Sequence, residues 1–226
     1  IDDMLIPDYT NWNIKFASNE MTIEYHKDSK YSEEINENNW YEILMKKDVA
    51  FGRSDPNSDP CGYRAVLVSQ LAEKYYNIEN LSKKITSKDK KYIRPKETDL
   101  LALLETNTID YMFLYRSVAE QHDLDFILLP DSINLKRPEI REFYSKAATE
   151  INGKKPGEMI TKKGQSIVYG ITIIDNAPNK EVAIECLRFV LSADKGMSIM
   201  IENGQPSMVP AFSETYNEIP QELKQF

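Results

Sequence analysis

The chain has 226 residues, enough for one large domain or two small ones, and its 41% apolar residues suffice for an ordinary buried core. The net charge is −8 and no basic stripe is present, which excludes nucleic acid and anionic membrane surfaces as partners. No run of about 18 apolar residues occurs, which excludes a membrane-spanning helix, and no signal peptide or lipid-attachment cysteine is visible at the start.

In chain order, "IKFASNEMTIEY" (Ile14–Tyr25) has strand character on both sides of a polar Ser-Asn break. "SEEINENNWYEILMKKD" reads as a helix with Ile35, Tyr41, Ile43 and Leu44 facing inward, and "VAFGRS" (Val49–Ser54) as a short strand. "CGYRAVLVSQLAEKYY" (Cys61–Tyr76) is an amphipathic helix, "KKITSKDKKYIRP" a loop or weak strand, and "ETDLLALLETN" (Glu97–Asn107) a helix. "IDYMFLYRS", "DFILLP", "REFYSKAATEI" and "QSIVYGITII" read as strands. The segment from Asn152 to Gln165 is a turn-rich connection, and two helices follow in "NKEVAIECLRFVLS" and "DKGMSIMIEN". Strands alternating with helices predict an α/β fold with parallel βαβ units.

Two helix starts stand out. In "SDPCGYR", Asp59 suits the N-cap and Pro60 the first helical position, while Cys61 and Gly62 offer backbone N–H groups. Gly62 has no side chain to keep a ligand from the backbone. A helix N-terminus carries roughly half a positive charge and up to four free donors, so it suits an anion. The second start, "RPKETDLLALL", places Glu97 at its mouth. Tyr115 ends an apolar strand ahead of a helix-like segment and could present its hydroxyl to the same cleft. Each of these has a purely structural alternative: Asp59 as a cap, Glu97 as a dipole partner, Tyr115 as a core tyrosine.

Several chemistries lack their residues. The two histidines, His26 and His122, sit in no metal or catalytic spacing, and no P-loop, G-x-G-x-x-G or G-x-S-x-G occurs. Cys61 as a nucleophile would gain from the helix terminus but has no evident base. Cys186 lies on an apolar helix face and is expected to be a small buried hydrophobe.

The stretches "NWNIKFASNEMTIEY", "DPNSDPCGYRAVLVSQLAEKYY", "RPKETDLLALLE", "IDYMFLYRSVAEQH" and "IVYGITIIDNAPNKEVAIECLRFVLS" together resemble, in the same order, the archaeal-type tungstate/molybdate-binding proteins of ABC importers. The resemblance implies a two-lobed, type II periplasmic-binding-protein-like α/β fold, each lobe a mixed sheet flanked by helices. It assigns residues 1–26 and 165–226 to the first lobe and 27–164 to the second. The oxyanion would be held between the lobes. Matching motif to motif, the ligand-binding residues fall on Asp59, Pro60, Cys61, Glu97 and Tyr115. Asp59 and Glu97 would reach the tungsten or molybdenum atom itself and make it six-coordinate. The resemblance also implies no cofactor and no catalysis. It implies delivery to a membrane permease, action as a monomer, and a place outside the cytoplasmic membrane with an anchor. The family's two serine-bearing anion loops precede the point where "IDDMLIPDYT" opens, so the first lobe is expected to be incomplete on its N-terminal side.

Electrostatics gives the carboxylates a purpose. A carboxylate about 4 Å from one anionic charge costs roughly 4 kcal/mol at an effective dielectric near 20. One charge-assisted hydrogen bond returns only about 1.5–3 kcal/mol. Two bare carboxylates therefore repel sulfate, and repel phosphate unless a proton is shared. A d⁰ tungsten or molybdenum centre can accept a carboxylate oxygen as a further ligand, which turns the same residues into attraction. The alternatives are a binding protein of this fold for sulfate or phosphate, an effector-sensing domain of a transcription regulator, and a cleft hydrolase using Asp59 and Glu97 as acid and base.

Overall fold

The computed structural model describes residues 5–226. They divide into two compact units. One joins the segment ending at Asn19 to Ile167–Phe226, and the other runs Glu20–Ser166.

The larger unit is built on a five-stranded mixed sheet. Its strands are β2 (Met21–Tyr25), β3 (Phe51–Ser54), β4 (Ile93–Arg94), β5 (Tyr111–Tyr115) and β6 (Asp125–Leu128), in the order β4-β3-β5-β2-β6. β3 runs parallel to β4 and β5, whereas β2 is antiparallel to both β5 and β6. β2 is nearly all buried because it lies inside the sheet. Residues 20–26 fall in this unit, whereas the family resemblance implies that everything through 26 goes with the other lobe. Inter-strand hydrogen bonds to β5 and β6 hold β2 here.

Helices cover this sheet. The long helix α2 (Pro60–Tyr75) buries Ala65, Leu67, Val68, Leu71 and Ala72. The short α1 (Trp40–Met45) buries Trp40, Ile43 and Leu44, and Trp40 meets Phe113 edge-on at 5.9 Å. α1 is much shorter than the periodicity of 32–48 suggests: the Asn-rich stretch before it forms turns, since Asn side chains bond local backbone, as Asn39 Oδ1 does to the Asn36 N–H. α3 (Leu81–Ser87) takes part of the stretch expected as loop or weak strand, held by buried Leu81 and Ile85. α4 (Thr98–Glu105) packs Leu100, Leu101 and Leu104 inward, and α5 (Arg116–Gln121) follows β5 directly.

Beyond β6, Arg141–Tyr144 is a helical turn, α6, where strand was expected, because Tyr144 is pinned in the core by donating to the Asp131 carbonyl. The strand begins only at β7 (Ala148–Asn152). It pairs antiparallel with β8 (Met159–Lys163), which lies in the segment expected as a turn-rich connection. β7 and β8 are mostly exposed, so no apolar run marks β8 in the sequence.

The smaller unit pairs β1 (Ile14–Ser18) antiparallel with β9 (Val168–Ile171). Its core gathers Trp12, Ile14, Phe16, Leu187, Leu191, Met197, Ile219 and Leu223. α7 (Lys180–Leu191) contributes Leu187 and Leu191, four residues apart on one face, and α8 (Gly196–Glu202) contributes Met197. Cys186 is exposed, contrary to expectation, since it sits about 100° around the helix from Leu187. Among the described residues no helix is long and apolar enough to cross a membrane.

Candidate functional site

The site lies wholly within the larger unit, at the C-terminal ends of β3 and β5, where ligands of open α/β sheets collect. β3 ends at Ser54, and its chain reaches α2 through the Asp55–Ser58 turn. Gly62 is what lets α2 start so close. A Cβ there would lie 2.5 Å from the Asp55 carbonyl carbon and 2.6 Å from the Ser54 oxygen. The close approach that requires glycine is thus to the protein's own turn, not to a ligand as the sequence pattern suggested.

Asp59 is the N-cap of α2, in extended backbone conformation, with Pro60 at the first helical position. Its Oδ1 accepts the Cys61 N–H at 2.7 Å and its Oδ2 accepts the Glu97 N–H at 2.9 Å. One carboxylate therefore ties together the mouths of α2 and α4. The Cys61 amide, expected as a donor to the anion, is taken up by this cap. Each oxygen of a carboxylate has two lone-pair directions, so Asp59 keeps acceptor capacity beyond the two amides it holds. Pro60 is exposed at the rim.

Glu97 is the N-cap residue of α4 but its side chain makes no cap bond. Its Oε2 is buried with no hydrogen-bond partner. Burial, then the nearby Asp59 carboxylate, push its pKa from 4.5 to about 7, against the opposing pull of Cys61 and Arg64.

Tyr115 ends β5. Its hydroxyl accepts a hydrogen bond from Arg64 Nη1 at 2.5 Å, and the Arg64 guanidinium lies 5.5 Å from the centres of both the Tyr63 and Tyr115 rings. Burial pushes the Tyr115 phenol pKa well up, with Cys61 and Glu97 adding to the shift and Arg64 opposing it. The Cys61 thiol is fully buried and donates to the Phe113 carbonyl at 3.5 Å. Burial, with Glu97, Asp59 and Glu24 adding, pushes its pKa well above the usual thiol range, although Ser54 opposes. Burial thus opposes the thiolate that a helix N-terminus alone would favour.

The structure thus brings Asp59, Cys61, Glu97 and Tyr115 together and leaves Pro60 at the edge. Two charged residues of the cluster escaped sequence reasoning. Arg64 follows Cys61 by three residues and so shares its helix face, a spacing that could have indicated it. Glu24 shares one face of the buried β2 with Thr22. Its Oε1 accepts from Thr22 Oγ1 at 3.2 Å and its Oε2 is unpartnered. Burial raises its pKa well above 4.5, Thr22 opposes, and Glu97 adds a little. An acid in the middle of an apolar strand was its only signal.

The family profile described as "Bacterial extracellular solute-binding protein" matches residues 1–204. The chain belongs to this solute-binding family. A solute-binding protein of Petrotoga mobilis is 51% identical over 227 residues, covering 100% of this chain and 70% of that one. The molybdate/tungstate-binding protein WtpA of Pyrococcus abyssi is 43% identical over 246 residues, covering 99% of this chain and 70% of its own. The periplasmic molybdate-binding protein of Azotobacter vinelandii superimposes with a TM-score of 0.53 at 12% identity, covering 88% of this chain and 68% of that one. The sulfate-binding protein SubI of Mycobacterium tuberculosis H37Rv gives 0.52 at 9% identity, covering 87% and 58%. At such identities the two structures show the shared periplasmic-binding-protein-like fold and nothing finer. Members of the solute-binding family bind rather than convert their ligands, and the family works outside the cytoplasm.

Proposed function

We propose that this solute-binding protein captures tungstate or molybdate and delivers it to the membrane permease of an ABC importer, acting as a monomer tethered at the cell surface. The observation that carries the choice of anion is the pair of acids at two adjoining helix mouths, Asp59 and Glu97, joined by the Asp59 Oδ2 to Glu97 N–H bond. A site for a sulfate-like anion gains nothing from two carboxylates and loses several kcal/mol to repulsion. A site for a tungsten or molybdenum oxyanion gains two oxygen ligands for the central atom. Asp59 is held in place by its two amide bonds, and Glu97 supplies an oxygen without a partner. Tyr115 adds a hydroxyl, and Pro60 with the Cys61 backbone lines the contact. The name of the 43% identical WtpA supports the same anions.

One rival has an observation in its favour. With a pKa near 7, Glu97 can carry a proton and donate it to an oxygen of sulfate or phosphate. Titration calorimetry of the full-length protein with tungstate, molybdate and sulfate separates the two. The account expects tight one-to-one binding of the first two, little of sulfate, and a large loss of tungstate affinity in Asp59→Asn with Glu97→Gln. Sulfate competing on equal terms, or a double variant that binds tungstate as well as wild type, sinks it. Turnover of a substrate by the purified protein would instead favour hydrolysis.

A further inference from the structure

Arg64 is absent from the set of residues expected to touch the anion, yet it makes the only hydrogen bond described for the Tyr115 hydroxyl. A guanidinium has five donors and no acceptor, so in this bond the phenol oxygen must accept. The phenol's single proton is then left over, and it cannot be turned back toward Arg64. Arg64 sits one turn into α2, three residues after Cys61 and on its face. Its guanidinium carbon lies 5.5 Å from the centres of the Tyr63 and Tyr115 rings, so both rings flank the donor.

We propose that Arg64 is the positioning residue of the site: by donating to the Tyr115 oxygen it orients the hydroxyl proton outward, as a donor to an oxygen of the bound oxyanion. The inference rests on the oxyanion-binding reading of Asp59, Glu97 and Tyr115. It gives the cluster a division of labour. The two acids meet the central atom, Tyr115 meets a peripheral oxygen, and Arg64 holds the Tyr115 hydroxyl in place. Lysine can replace the donor and the charge but not the planar fork of the guanidinium.

The test is a double-variant cycle on the full-length protein, read by calorimetry with sodium tungstate. Arg64→Gln and Tyr115→Phe are each expected to weaken binding roughly ten- to a hundred-fold. The combined variant should be no weaker than Tyr115→Phe alone, because Arg64 acts through that hydroxyl. Arg64→Lys should recover part of the loss. Thermal melts without anion establish that each variant folds. If Arg64→Gln does not fold, Arg64→Lys with and without Tyr115→Phe carries the cycle. Losses that multiply in the combined variant, or an Arg64→Gln protein that binds like wild type, overturn the inference alone. A wild type that binds neither tungstate nor molybdate overturns it together with the reading beneath it.

Discussion

Asp59 and Glu97 are acids at the mouths of neighbouring helices on one sheet edge, yet their surroundings differ in kind. Asp59 is satisfied: each oxygen accepts a backbone N–H, one from its own helix and one from the other. Glu97 is left wanting: its side chain caps nothing, one oxygen is buried without a partner, and its pKa stands near 7. A capping acid stabilises the fold before any ligand arrives. An uncapped, half-buried acid beside another acid costs stability until something takes its spare oxygen. Two acids at equivalent places thus divide into a satisfied cap and an unsatisfied acid.

The comparison breaks first at Asp59. Asp59→Ala orphans two backbone donors at once, so urea unfolding should show a loss of about 2–4 kcal/mol. A loss near zero would mean the two caps do not hold the helix mouths. Next comes Gly62→Ala, whose methyl would press into the Ser54–Asp55 backbone and move α2 away from its partner. Overpacking of this kind costs about 1–3 kcal/mol, and the variant should lose tungstate affinity along with stability. Asp59→Asn is milder. An amide has one acceptor oxygen in place of two, so one cap survives and the loss should be about 1 kcal/mol.

The smallest effect sharpens the other side. The folded pKa of Glu97 is raised, to about 7 from 4.5, so between those values the native state holds a proton that the unfolded state has released. Stability therefore falls as pH rises from 4.5 to 7 and levels off above. Glu97→Gln removes this contribution. Relative to wild type it should gain about 1 kcal/mol between pH 5 and pH 8 in paired urea melts, less than the whole shift because Glu97 is partly exposed. Equal slopes for the two proteins would show that Glu97 is not under strain.

Much of the fold is legible in the sequence because its core elements are periodic. β1, β2, β3, β5 and the helices at 60–75, 98–105 and 180–191 all fall where their apolar spacing puts them. Illegible parts have weak burial or local competition. β8 is exposed along most of its length, and the turns before Trp40 are set by asparagine side chains bonding their own backbone. At the site, Asp59, Glu97 and Tyr115 are identifiable from helix mouths and a strand end. The bond between Asp59 and the Glu97 amide joins residues 38 apart, and no local pattern announces it. Gly62 reads from sequence as open backbone for a ligand, but the space it provides is filled by the Asp55 turn. Arg64 is hidden because its partner Tyr115 comes from another element, and Glu24 because one acid within an apolar strand gives no pattern to read.

The most direct test of the central claim is the pH dependence of tungstate binding between pH 6 and pH 8, measured beside sulfate by calorimetry on wild type and Glu97→Gln. If Glu97 ligates the metal centre, it must first lose its proton. Wild-type tungstate affinity should then fall toward tenfold for each pH unit below about 7, Glu97→Gln should be weak and flat, and sulfate should bind poorly throughout. Affinity that rises as the pH falls, with sulfate binding alongside tungstate, would show Glu97 acting as a protonated donor to an ordinary oxyanion and would contradict the account.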